Sequence, residues 1–123
     1  MATIKLRETK PIHIRAHLTK GDGSNLLAAE VSTATAKLFD LRSDTPHTAL
    51  STTPLTVGTV MDDTNPTAGW NLVGSYNFLW VAPGTDLIQG GGHYRWEIEI
   101  DGVSEDDDNW IVVDVQTTEL MSV

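Results

Sequence analysis

Between His93 and Ile100 the chain alternates without a break: Tyr94, Trp96, Ile98 and Ile100 share one parity, and His93, Arg95, Glu97 and Glu99 share the other. At ~100° per residue a helix would scatter these large apolar groups around its circumference, whereas a strand gathers them on one face. This segment therefore predicts a strand with one buried and one wet face, and a partner layer to cover the buried one.

Other segments repeat that logic. Ile12, Ile14, Ala16 and Leu18 alternate with His13, Arg15 and His17, and the run ends in the turn-forming stretch Lys20 to Asn25. Residues 34–41 carry apolar side chains on both parities, which fits a strand that changes exposure or passes a bulge at its far end. Residues 76–81 are rich in aromatic and branched side chains, predict a core strand and are closed by Pro83 and Gly84. Trp70 to Val73 precedes it as a shorter apolar segment. Asp101 to Asn109 reads as an acidic hairpin connection, with Trp110 to Val115 as the return strand.

Residues 42–69 are dominated by Ser, Thr, Pro, Asp and Asn, although Leu55, Val57 and Thr59 keep a strand-like beat, and strand and loop both stay open there. Thr85 to Ile88 could form one helical turn, and no helix-period segment of useful length occurs. The expected fold is an all-β, antiparallel two-sheet sandwich of about seven to eight strands, with a closed barrel as the alternative. The 123 residues suffice for one such domain, spanning 1–123.

Charge and composition narrow the function. Asp and Glu number 17 against 8 Lys and Arg, a net charge of −9, which repels phosphate backbones and anionic membranes, so neither nucleic acid nor membrane is an expected partner. With no cysteine there is no disulfide and no thiolate metal site, and stability rests on packing and hydrogen bonds. The first residues lack a secretory apolar run and no stretch reaches the ~20 apolar residues of a span, so a protein made in the cytosol is expected.

Candidate sites compete with plainer readings. His13 and His17 lie ~13 Å apart along a strand, too far to share a metal. Asp101, Glu105, Asp106, Asp107 and Asp108 offer the oxygens calcium prefers, with Asp101, Asp106 and Asp108 as the metal candidates and Asp62, Asp63 and Asn65 as possible additions. The spacing lacks a calcium-loop pattern, so a solvated turn is the expectation. Glu97 and Glu99 could act as an acid–base pair, but their neighbours Arg95 and His93 point to an ordinary charged sheet surface. There is no nucleophile elbow, and Gly90, Gly91 and Gly92 precede a strand, the wrong context for a phosphate cradle. No catalytic residue, metal or cofactor is assigned, and a non-enzymatic protein is expected.

Of the four tryptophans, Trp80 and Trp96 are expected in the core and Trp70 is the best candidate for an exposed ring. Apolar residues near the two ends, Ile4, Leu6, Leu120 and Met121, are candidates for partner contact, either in edge strands or in short interacting arms at 1–8 and 117–123.

The order of the segments Thr3 to Asn25, Ala36 to Arg42 and Tyr76 to Gly102 resembles small immunoglobulin-like domains of tailed-phage virion proteins, capsid decoration proteins and baseplate adaptors among them. Tyr94 stands where that fold's tyrosine corner would be, and Trp96 where antibody domains place a cysteine, which excludes the antibody subtype. The resemblance implies a virion structural protein assembled in the host cytoplasm: a capsid decoration or cement protein, or a connector or tail subunit. It would be homo-oligomeric, with the major capsid or tail protein of the particle as partner. The alternative is a carbohydrate- or receptor-binding β-sandwich module, which requires an exposed aromatic beside polar groups.

Overall fold

A computed structural model describes residues 2–7, 11–61, 76–84 and 92–118. Seven strands appear in them: β1 (Ala2–Arg7), β2 (Ile12–Ala16), β3 (Val31–Asp40), β4 (Ser51–Leu55), β5 (Phe78–Ala82), β6 (His93–Gly102) and β7 (Asn109–Thr118). They form a five-stranded sheet in the order β1-β7-β6-β3-β4 and a two-stranded sheet of β2 and β5. All neighbours are antiparallel except β1, which runs parallel to β7.

The alternation in β6 organises the larger sheet. Tyr94, Trp96, Ile98 and Ile100 are each at most 2% exposed, and they meet Ile12, Ile14, Phe78 and Ala82 of the smaller sheet in one core. Trp96 touches Trp80 of β5 edge-on at 4.9 Å between centroids, so an aromatic contact joins the two sheets at their centre. Burying each large side chain contributes about 1.5–3 kcal/mol.

Asn77, 2% exposed, is the buried polar group that ties the sheets' connections together. Its Oδ1 accepts from Leu18 N–H at 2.7 Å, and its Nδ2 donates to the carbonyls of Leu18 and Leu26, each at 2.9 Å. The loop after β2 carries backbone groups into the core that no strand pairs, and this amide supplies their partners.

Three expectations change. The beat of Leu55, Val57 and Thr59 breaks after Leu55: Val57–Val60 is a helical turn, α1, closed by the Met61 N–H on the Val57 carbonyl. Three alternating residues are too few to fix the backbone, and the turn swings Val60 and Met61 into the core. The bulge in β3 lies between Val31 and Thr33, at its start and not its far end, whereas the expected change of exposure does occur at the far end, where Phe39 and Asp40 are both half-buried. β7 begins at Asn109 and runs to Thr118, longer than the six residues its apolar run suggested, because β6 and β1 supply ladder partners beyond it. The expected segments Trp70–Val73 and Thr85–Ile88 lie outside the described residues.

Candidate interaction surfaces

The acidic connection between β6 and β7 is built as a scaffold. Gly102 N–H donates to Asp108 Oδ1 at 2.8 Å, and a 3-10 turn at Glu105–Asp107 compacts the loop. It is stitched to the turn after β2: Gly21 N–H donates to Asp107 Oδ1 at 3.1 Å, and Asn109 Nδ2 donates to the Thr19 carbonyl at 2.9 Å. The approach is close enough that a Cβ on Gly21 would lie 3.1 Å from Asp106. Lys20 Nζ sits 2.7 Å from Glu30 Oε2, and this contact raises the Lys20 pKa and lowers that of Glu30.

The metal candidates have other engagements. Asp101 Oδ2 accepts from Thr33 Oγ1 at 2.8 Å, and Asp108 caps Gly102. Among the described residues no three acidic or imidazole side chains converge on one point. Asp62, Asp63 and Asn65 lie outside the described residues. Asp101, Asp107 and Asp108 thus each accept a hydrogen bond, from Thr33, Gly21 and Gly102 respectively.

The register of β6 with its neighbours fixes the outer face of the five-stranded sheet. Trp110 pairs with Glu99, Val112 with Glu97 and Asp114 with Arg95, while Lys37 stands opposite Glu97 and Phe39 opposite Arg95. Arg95 Nε donates to Asp114 Oδ1 at 2.8 Å and Nη1 lies 4.0 Å from Glu97, so the suspected Glu97 and Glu99 pair is embedded in a charge ladder. Partial burial, followed by the nearby Asp101 charge, raises the Glu99 pKa.

At one end of this face Trp110 is 58% exposed. At the other end a depression of about 300 Å³ lies between β3, β6 and the 41–50 loop, lined by Phe39, Leu41, Pro46, His47, Arg95 and Glu97. The exposed ring at 110 was readable from parity, since Ile111, Val113 and Val115 alternate with Trp110, Val112 and Asp114, and the aspartate marks the outer side.

The outer face of the smaller sheet is mixed. His13 and Arg15 are exposed beside Val81 and the half-buried Leu79, with the Arg15 guanidinium 5.5 Å over the Tyr76 ring. His17 lies beyond the end of β2 with Nε2 2.6 Å from Asn25 Oδ1.

Ile4 and Leu6 belong to β1, whose register sets them opposite Val115 and Thr117 in an edge strand. Trp70, Leu120 and Met121 lie outside the described residues. No helix among the described residues is long and apolar enough to cross a membrane. No family model matches the chain, and comparison with curated proteins and with solved structures returned no match.

Proposed function

We propose that the two sheets form an immunoglobulin-like sandwich and that the chain is a non-enzymatic structural protein of a tailed-phage particle, a capsid decoration or cement protein or a connector or tail subunit. The observation that carries the fold is the strand order. With β2 and β5 as strands B and E, and β3, β4, β6 and β7 as C, C′, F and G, the sheets divide as in variable-type domains. The first strand joins the last one in parallel. Tyr94, buried at the start of β6, fits the tyrosine-corner position, and Trp96, where the F-strand cysteine of antibody domains would stand, packs edge-on against Trp80 of the facing sheet.

The sequence likeness to phage domains supports the virion role, and so does the surface. Asp107 and Asp108 hold loops together, while among the described residues β1 and β4 end the larger sheet as edges that a neighbour can extend. Repeated under particle symmetry, modest contacts of this kind sum to firm attachment. Exposed Trp110 beside Glu99 and Asn109 favours a second reading, a carbohydrate- or receptor-binding module.

Adding the purified chain to particles assembled without it separates the two. Saturable co-sedimentation at a fixed ratio is the outcome for a structural subunit. Bare particles, together with glycan binding that Trp110→Ala abolishes, would reject that role in favour of the module.

A further inference from the structure

Register orders the outer face of the five-stranded sheet into cross-strand rows. Trp110, Glu99, Thr35 and Pro54 stand side by side across β7, β6, β3 and β4, and Val112, Glu97, Lys37 and Thr52 form the next row. At ~4.8 Å between strands the first row spans ~14 Å from Trp110 to Pro54, and the second lies ~7 Å away along the strands. Trp110, Pro54, Lys37 and Thr52 are exposed, and the other four are half-buried.

Hydrogen-bonding capacity on these rows is unspent. Among the described residues the Thr35 and Thr52 hydroxyls and the Lys37 ammonium make no hydrogen bond or ion pair. Hydroxyls that both donate and accept, an ammonium that donates and the accepting carboxylates of Glu97 and Glu99 thus lie on one surface with an exposed indole. The core of a protein interface is depleted of charge, whereas here a carboxylate is the cross-strand neighbour of the tryptophan. A ligand with apolar faces and many hydroxyls matches this mixture better than an apolar protein patch does. Charge then selects among glycans. Glu97 and Glu99, with Asp101 one step beyond on β6, outnumber Lys37, so sugar acids meet repulsion and neutral sugars do not.

Building on the second reading of this face, we propose that the two rows bind a neutral oligosaccharide. One sugar ring stacks on Trp110, and the chain continues across Thr35 and Lys37 towards Thr52 and Pro54. The apolar side of the ring covers the indole. Sugar hydroxyls donate to Glu99 and Glu97 and accept from Thr35, Thr52 and Lys37. A short chain binds better than a single sugar because these groups are spread over ~14 Å.

NMR titration of the isotope-labelled full chain with cellohexaose, maltohexaose, chitohexaose and mannohexaose, and with oligogalacturonate as the acidic control, tests it. At least one neutral hexasaccharide should saturably shift the Trp110 indole N–H and the amides of Thr35, Lys37 and Glu99. Trp110→Ala should raise its dissociation constant roughly tenfold or more. Thr35→Val, which keeps the β-branched shape and loses the hydroxyl, should raise it about two- to tenfold. Both variants should keep the wild-type melting temperature. Binding that Trp110→Ala leaves intact, or binding confined to oligogalacturonate, overturns the proposal and leaves the carbohydrate-binding reading standing. No shift with any of the five probes overturns the proposal and that reading together.

Discussion

Replacing Asn77 by alanine tests how the core tolerates the loop that follows β2. The substitution removes three hydrogen bonds, but their loss is unequal. The Leu18 carbonyl still accepts from Leu26 N–H at 3.0 Å, whereas the Leu18 N–H and the Leu26 carbonyl lose the partner that Asn77 gave them. Each orphaned buried group costs about 1–3 kcal/mol, so a destabilisation of about 3 kcal/mol is expected, a large part of the ~5–15 kcal/mol typical of a domain. In urea, with m of about 1–3 kcal/mol/M, the midpoint should fall by roughly 1–3 M with m unchanged. Asn77→Asp keeps the acceptor for Leu18 N–H but sets a carboxylate against two carbonyls. It should be at least as destabilising at neutral pH and progressively relieved as the pH falls, because burial against two carbonyls raises the acid's folded-state pKa above the ordinary value of about 3.9 and the protonated acid regains a donor. A loss below about 1 kcal/mol for Asn77→Ala, measured by equilibrium unfolding, would refute the view that this amide organises the loop.

Gly102→Ala should cost about 1–3 kcal/mol, because a Cβ there would lie 2.7 Å from both the Ser104 carbonyl oxygen and Asp107 Cβ, and thermal melts would register it. Gly23→Ala should cost about 1 kcal/mol for a different reason, the φ of +90° in an otherwise open turn, so a bulkier residue there should behave like alanine. Glu99→Gln should raise stability at pH 7. The folded-state pKa of Glu99 lies above its ordinary value of 4.5, so its contribution is fully present below the unfolded pKa and is lost as pH rises through the folded one. The advantage of the glutamine should therefore vanish below about pH 4, and unfolding curves at the two pH values check both arms.

The strands were legible wherever parity was long and clean. Four matched pairs in β6 left no second arrangement, β2 followed from the same rule, and β5 was legible from its aromatic and branched composition. Val57 and Thr59 misled because a three-residue beat carries little information, and burial of Val60 and Met61 decided the backbone instead. Trp110 was placed in the correct strand without its face being read, although Asp114 four residues on has the same parity. Asn77 carried no local signal at all. Its role depends on carbonyls 51 and 59 residues away in sequence, which only the packing of the sheets brings to it. The depression at Phe39 and Arg95 is likewise a product of pairing between β3 and β6.

The virion role is tested most directly by quantitative mass spectrometry of purified phage particles from the source culture, measuring this chain against the major shell protein. A decoration or cement protein should appear in near-stoichiometric amounts with the shell, and a connector or tail subunit as a small fixed fraction. Absence of the chain from purified particles would contradict the proposed function.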